Sequence, residues 1–223
     1  MISEERIQMS ESLFIAGILA VVGGFLDAYS YLLRGEVFAN AQTGNIVLLG
    51  IFLQKKDFAA AAYYLVPIGA FAAGVILVEL IKKKFKHQKG IHWRQRIVFL
   101  EVILLGIVGL IPLGDWNVIA NVMISFVCAI QVETFRKVHG NAFASTMCTG
   151  NLRSGTESFF HYWKTKDRSY LEKALKYYGI IVLFILGAVI GGFLSGRAEG
   201  SSIFLCCLLL IIAGILMRQE FRN

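Results

Sequence analysis

One pattern occurs twice in this chain of 223 residues, and it decides how the fold is read. The first copy reads Asp27-Ala28-Tyr29-Ser30, then Phe38-Ala39-Asn40-Ala41-Gln42-Thr43-Gly44-Asn45. The second copy reads Glu133-Thr134-Phe135-Arg136, then Phe143-Ala144-Ser145-Thr146-Met147-Cys148-Thr149-Gly150-Asn151. The spacing from Asp27 to Thr43 equals the spacing from Glu133 to Thr149. An acid followed in register by Thr-Gly-Asn, in both halves of an apolar chain, predicts an internally duplicated membrane protein with two matched half-sites.

The composition indicates a membrane protein built from helices. Hydrophobic residues make up 57% of the chain and the mean hydropathy is +0.65, whereas about half apolar residues is typical of soluble domains. The apolar runs are continuous rather than alternating, which excludes a transmembrane barrel and predicts an all-α polytopic protein. Six runs approach the length of about 20 residues that a crossing needs. They are 13–33, 58–81, 97–113, 116–135, 177–195 and 202–218.

Two shorter apolar stretches, 38–53 and 143–160, carry the Thr-Gly-Asn sequences and are interrupted by polar residues. Threonine is a common helix N-cap, and glycine allows a close approach of the backbone to another group. We therefore predict a non-helical stretch in each, followed by a short helix that begins near Thr43 or Thr149, with the threonine as N-cap. Both helix N-termini would lie near the bilayer midplane and point toward each other.

The basic loops select between two topologies. If both short stretches enter the membrane and return on the same side, there are six crossings, and the loops at 82–96 and 164–176 and both termini are cytoplasmic. If both stretches span, the loop at 164–176 and the basic C-terminus face outside, against the rule. Three spans and one re-entrant segment in each half make an inverted-topology repeat. The predicted architecture is a single membrane domain over 1–223, with repeat halves of about 13–113 and 116–218.

The predicted functional site lies between the two short helices. Helix N-termini carry positive partial charge and unpaired N–H groups, which favour an anion. Arg153 follows Thr149 by one turn, and Asp27 and Glu133 are its candidate counter-ions; acids inside a membrane also carry protons in many transporters. The candidate solute-binding residues are Asp27, Thr43, Gly44, Asn45, Glu133, Thr149, Gly150, Asn151 and Arg153.

Each of these features has a structural alternative. Thr-Gly-Asn is also expected where two helices pack closely through small residues. Asp27, Glu133 and Arg153 could instead form one ion pair that locks the two halves together. The residues alone leave both alternatives open.

Other functional classes are disfavoured. The net charge of +7 does not indicate nucleic-acid binding, because the Lys and Arg residues lie between apolar runs, where they anchor the chain at a membrane surface. The four cysteines, Cys128, Cys148, Cys206 and Cys207, lack zinc-ligand spacing and are expected to be buried. No nucleophile, metalloprotease or phosphate-loop motif is present, so we predict no enzyme and no cofactor.

The sequence Gly24-Phe25-Leu26-Asp27-Ala28, followed by Phe38 and by Gln42-Thr43-Gly44-Asn45-Ile46-Val47-Leu48-Leu49-Gly50, resembles the YoaK-like family of bacterial multi-pass membrane proteins. That family is a domain of unknown function, and the likeness covers about residues 13 to 217. The resemblance implies a bacterial cytoplasmic (inner) membrane protein with about six spans. Family members more often carry an amide at the position of Glu133.

The sequence thus predicts a transporter or channel for a small polar, anionic solute that binds near the bilayer midplane. Arg153 would contribute positive charge, while Asp27 and Glu133 would orient the solute or carry a coupling proton. The alternative is a membrane scaffold, assembly or sensor protein without transport. The expected partners are the lipid bilayer and the solute, and a homodimer is one alternative because six spans make a small bundle.

Overall fold

The computed structural model describes residues 12–85, 93–138, 141–142 and 148–219. The predicted cytoplasmic termini, residues 86–92 of the basic loop at 82–96, and residues 143–147 before the second Thr-Gly-Asn lie outside this described part. The helices within it are α1 Leu13–Leu33, α2 Gln42–Gln54, α3 Phe58–Phe85, α4 Trp93–Leu110, α5 Asn117–Thr134, α6 Cys148–Thr165, α7 Arg168–Ala198 and α8 Phe204–Gln219. Two short strands, β1 Lys137–Val138 and β2 Asn141–Ala142, pair antiparallel, and a 3-10 helix, Glu199–Ile203, joins α7 to α8.

Four helical stretches in the described part are long and apolar enough to cross a membrane: Leu13–Leu33, Phe58–Phe85, Asn117–Thr134 and Arg168–Met217. The last stretch contains α7, the 3-10 helix and most of α8. These stretches cover five of the six predicted runs to within one residue at each end. The sixth, 97–113, falls mainly on α4, whose hydropathy is reduced by Arg94, Arg96 and Glu101. The helical membrane architecture is therefore confirmed for this part of the chain.

Helix α5 runs opposite to α1. Near its start, the Asn121 side chain donates to the Arg34 carbonyl at the end of α1, at 2.7 Å. Further along, the Gln131 side chain donates to the Leu19 carbonyl near the start of α1, at 3.2 Å. Each half of the chain therefore begins with a long helix, and these two helices point in opposite directions.

Helices α3 and α7 begin at opposite ends of α1. The Tyr63 hydroxyl, near the start of α3, donates to the Arg34 carbonyl at 3.2 Å. Tyr177 and Ile180, in the first part of α7, pack with Ala16 near the start of α1. Since α2 leads into α3 and α6 leads into α7, the two short helices end on opposite sides of the molecule.

Glycines bring the long helices together closely. A Cβ atom on Gly187 of α7 would collide with the Val21 carbonyl of α1, and one on Gly24 would collide with the Phe184 carbonyl. In the other half, a Cβ atom on Gly74 of α3 would lie 2.7 Å from the Ala129 Cβ atom of α5. Small residues at these crossings give the close backbone approach that stabilises helix pairs in a membrane.

Arg34 fastens one end of the bundle and was not singled out by the sequence. Its fully buried guanidinium donates to the Tyr29 hydroxyl at 2.7 Å and to the Asn117 side chain at 3.3 Å. It also donates to the carbonyls of Val108 (3.1 Å), Ile111 (3.0 Å) and Pro112 (3.0 Å). These carbonyls are at the negative end of the α4 dipole, so Arg34 caps α4 and joins it to α1 and α5.

The two short helices end in the same way. Lys56 and Lys166 have left-handed backbone angles, with φ of 58° and 57°, and each is followed by an aspartate. The Asp57 carboxylate accepts from the Ala60 N–H at 3.0 Å, and the Asp167 carboxylate accepts from the Ser169 N–H at 2.9 Å. The bond from Ser169 lowers the pKa of Asp167. Both aspartates thus stabilise the start of the next long helix.

The close crossing of α1 and α7 gives a testable prediction. Gly187→Ala should lower the free energy of unfolding by about 1–3 kcal/mol, because the added methyl group meets the Val21 backbone. The measurement is the melting temperature of the purified protein in detergent.

Gly179→Ala, also on α7, is the matched control because no atom lies within 4 Å of a Cβ at that position. It should keep or slightly raise the melting temperature, since alanine is the better helix former. Equal melting temperatures for the two variants would contradict this packing.

Candidate functional site

Asp27 holds the non-helical segment that separates α1 from α2. The segment turns at Gly35, where φ is +87°. Asp27 is 7% exposed, and its carboxylate Oδ1 accepts from the backbone N–H groups of Asn40 (3.1 Å) and Ala41 (3.2 Å). A bare N–H group inside a membrane costs several kcal/mol. Asp27, the acid of the first copy of the repeated pattern, therefore has a structural role, because it accepts hydrogen bonds from the backbone N–H groups just before α2.

Two polar side chains hold the middle of this segment from opposite sides. The Ser30 hydroxyl of α1 accepts from the Ala39 N–H at 3.2 Å, and the Ser125 hydroxyl of α5 donates to the Ala39 carbonyl at 2.8 Å. The Cys128 thiol of α5 contacts the Asn40 carbonyl at 3.2 Å. The start of α2 is thereby fixed by one helix from each half of the chain.

The predicted N-cap role of Thr43 is wrong. Helix α2 begins at Gln42 after the N-cap Ala41, which makes no side-chain capping bond. Thr43 is the second residue of α2, and Thr149 is likewise the second residue of α6. The Asp27 carboxylate accepts from Asn40 and Ala41, which precede α2, and so it does not take the place of a capping side chain for the first turn of α2. The predicted starts of the short helices are nonetheless correct to within one residue.

The starts of α2 and α6 border one partly open cavity of about 880 Å³, and several of its lining residues are exposed. A cavity of this size falls within the range of small-molecule sites, about 300–1,000 Å³. The described residues that line it come from six helices and the segment before α2. They are Asp27, Ala28, Tyr31, Leu32, Phe38, Asn40, Ala41, Gln42, Thr43, Gly44, Ile46, Phe71, Val132, Cys148, Thr149, Gly150, Phe184, Ala188 and Gly192.

Within each Thr-Gly-Asn sequence, the first two residues line the cavity and the asparagine is buried in the protein. The threonines and glycines of both copies line the cavity, and a Cβ atom on Gly150 would meet no atom within 4 Å. Asn45 is fully buried, and its amide donates to the Phe38 carbonyl and to the Gln42 side chain, both at 3.1 Å. Asn151 is also buried. Asn45 therefore supports the turn before α2 rather than facing the cavity.

Glu133 and Arg153 lie outside this cavity. The Glu133 carboxylate pairs with Arg136 at 3.0 Å, and the neighbouring Val132 takes the cavity position. Arg153 is exposed, and in the described ranges it forms no ion pair with Asp27 or Glu133. The predicted positive side chain in the site, and the predicted locking ion pair, are therefore not supported by this geometry.

Asn40 is a site residue that sequence reasoning missed, although it lies within the repeated pattern. It lines the cavity, is 6% exposed, and has no hydrogen-bond partner for its Oδ1 atom in the described part. Its Nδ2 atom is 3.5 Å from both the Asp27 Oδ2 atom and the Gly23 carbonyl, at the limit of a hydrogen bond. Asp27 and Asn40 together therefore offer spare acceptor atoms beside the cavity.

Among the described residues, no group of three His, Cys, Asp or Glu side chains is placed to hold a metal ion. Among the described residues that line the cavity, Asp27 is the only one with a charged side chain. The cavity thus combines one carboxylate, two helix starts and a largely apolar wall.

Comparison with known proteins agrees with this architecture. The model of a family described as "Protein of unknown function (DUF1275)" matches residues 15–216. The chain belongs to this family. It is also 26% identical, over 181 residues, to the UPF0700 transmembrane protein YoaK of Bacillus subtilis (strain 168), which covers 79% of this chain and 80% of that protein. No solved structure matches the chain. Family membership and the long apolar helices together identify a transmembrane protein of a family without an established function.

The role of Asp27 as a backbone acceptor can be tested directly. Asp27→Ala should lower the free energy of unfolding by about 2–4 kcal/mol, because two backbone N–H groups lose a charged acceptor. Asp27→Asn keeps an oxygen for both bonds and should lose less than half as much. Melting temperatures in detergent measure both changes. If the alanine variant were as stable as the asparagine variant, Asp27 would not hold the segment.

Proposed function

We propose that the protein is a membrane transporter or channel for a small polar solute that carries a negatively charged group. The solute would bind near the bilayer midplane, in the cavity between the starts of α2 and α6. The observation that carries the proposal is that two helix N-termini border one partly open cavity large enough for a small molecule. The proposal includes no catalytic step and no cofactor.

The helix starts supply the attraction for a negative group. Each contributes a positive partial charge of roughly half an elementary charge, together with N–H groups that lack an acceptor within the helix. The hydroxyls of Thr43 and Thr149 and the open space at Gly150 leave room for a carboxylate to approach these groups. Because Arg153 lies outside the cavity, the proposed positive potential comes from the backbone.

We further propose that the two halves form an inverted repeat and that α2 and α6 are re-entrant. The packing of the helices supports this, because exchanging the halves maps one set of contacts onto the other. The pair α1–α7 corresponds to α5–α3, the pair α2–α3 corresponds to α6–α7, and α4–α8 corresponds to itself. Helices α1 and α5 run in opposite directions, and α2 and α6 lead away from the shared cavity toward opposite ends. Such repeats place solute sites at the interface between their halves.

The distribution of charge supports a cytoplasmic location for one end. Lys82, Lys83 and Lys84 end α3, and Lys164 and Lys166 lie at the turn between α6 and α7. Both groups are at the end of the bundle where α1 begins. By the positive-inside rule we propose that this end is cytoplasmic, in a bacterial cytoplasmic membrane with both termini inside. Lys55 and Lys56, at the opposite end, run against the rule.

A non-transport scaffold or sensor is the second candidate. The dense hydrogen bonding around Asp27 and Arg34 is what a purely structural core would also require. The two proposals differ in one property, which is whether water and solutes reach the cavity.

Cys148 reports on that property without an engineered cysteine. It is half-buried and lines the cavity, whereas Cys128, Cys206 and Cys207 are buried. A water-soluble maleimide should add once per chain in membrane vesicles, and Cys148→Ser should abolish the addition. The count is read by mass spectrometry of the intact protein.

Small monocarboxylates from acetate to hexanoate, added in turn, should slow this labelling when they fit the site. Gly150→Leu fills the cavity and should abolish the protection, whereas Gly179→Leu, outside the cavity, should retain it. Labelling of Cys148 only after denaturation would overturn the transport proposal and favour the scaffold.

A further inference from the structure

We infer that the solute is a small zwitterion with an apolar side chain, that is, an apolar amino acid or a close analogue. Its carboxylate would lie at the starts of α2 and α6, and its ammonium group would lie at Asp27 and Asn40. This inference rests on the proposed function and names the class of solute for the same cavity.

The ammonium end is indicated by unsatisfied acceptors. Among the described residues, the Asp27 Oδ2 atom receives only the 3.5 Å contact from Asn40, while its Oδ1 atom accepts both backbone N–H groups. The Oδ1 atom of Asn40 is buried and has no partner among the described residues. A carboxylate oxygen with one long contact and an amide oxygen without a donor match a group rich in N–H, and an ammonium group carries three such donors. Among the described residues, the Asn40 Oδ1 atom therefore lacks a donor and the Asp27 Oδ2 atom has one long contact.

Charge balance favours a zwitterion over a simple anion. The described residues that line the cavity include no lysine or arginine, and their one charged side chain is the acid Asp27. A lone anion would be repelled by that carboxylate in a medium of low dielectric constant. A solute with an ammonium group neutralises Asp27 while its own carboxylate is stabilised by the two helix starts. Because a zwitterion has no net charge, its binding leaves the net charge of the cavity equal to that of the Asp27 carboxylate alone.

The rest of the wall matches an apolar side chain. Leu32, Ile46, Phe38, Phe71 and Phe184 line the cavity. Tyr31 stacks on Phe38 with ring centroids 4.7 Å apart, close to the Asp27 end. Aromatic faces also attract an ammonium group. A polar side chain on the solute would find few partners on this surface, so apolar amino acids are preferred over acidic or basic ones.

Three matched ligands test the inference on the full-length protein in detergent. Leucine carries both charged groups, 4-methylpentanoate has the same carbon frame without the ammonium group, and 3-methylbutylamine lacks the carboxylate. The readouts are the melting temperature and the protection of Cys148 from maleimide. Leucine should give half-maximal protection at a concentration at least tenfold lower than either analogue.

The role of Asp27 is tested with Asp27→Asn, which keeps an acceptor for the two backbone N–H groups. This variant should lose at least tenfold in leucine affinity, while 4-methylpentanoate binds as well as before or better. Glu79→Gln, which removes an exposed acid outside the cavity, is the matched control and should change neither ligand.

The outcomes separate this inference from the proposed function. If 4-methylpentanoate protects Cys148 as well as leucine does, the inference of a zwitterionic solute is wrong, and the proposal of a carboxylate transporter remains. If 3-methylbutylamine protects as well as leucine, the helix starts do not bind a carboxylate, and both proposals fail. If Cys148 is labelled and none of the three ligands protects it, the inference of a zwitterionic solute is also overturned. Because the ligand series is run on the unaltered chain, a failure of Asp27→Asn to fold would not remove the test.

Discussion

A chain that leaves a helix in a protein interior must find partners for its buried backbone N–H groups, and here Asp27 supplies the acceptor for two of them. Its carboxylate accepts from Asn40 and Ala41, where neither helix provides an acceptor. Ser30 and Ser125 complete the segment from α1 and α5. Without these partners the buried polar groups of the segment would be unpaired, which costs about 1–3 kcal/mol for each group. The position of α2 therefore depends on one buried acid.

The same constraint creates the cavity. A helix that starts inside the bundle has N–H groups directed into it, and two such helices, α2 and α6, start beside one space. Close contacts at Gly24, Gly187 and Gly74 hold the long helices around this space, while Arg34 fastens one end of the bundle. A space of about 880 Å³ is much larger than the small voids of a tightly packed core.

Sequence patterns predicted the helices well and the site only in part. Hydropathy and the repeated Thr-Gly-Asn located the starts of α2 and α6 to within one residue, because local composition determines where a helix can begin. Glu133 and Arg153 were misplaced because the face that a helix turns toward a cavity depends on packing against distant helices. For Glu133, a shift of one residue placed Val132 at the cavity and the acid beside Arg136. Arg34 was missed because an arginine just after an apolar run resembles an ordinary membrane anchor, and its carbonyl partners are more than 70 residues away.

The central claim is that the starts of α2 and α6 face each other across one cavity. Thr43→Cys and Thr149→Cys, combined in a chain without the four native cysteines, measure this directly. Both side chains are exposed and line the cavity. A short bis-maleimide should cross-link them within one chain, so that a protease site inserted at Gly114 no longer separates the halves on a denaturing gel. Thr43→Cys with Thr165→Cys, at the far end of α6, should not cross-link. Equal cross-linking of both pairs, or cross-linking of neither, would contradict the claim.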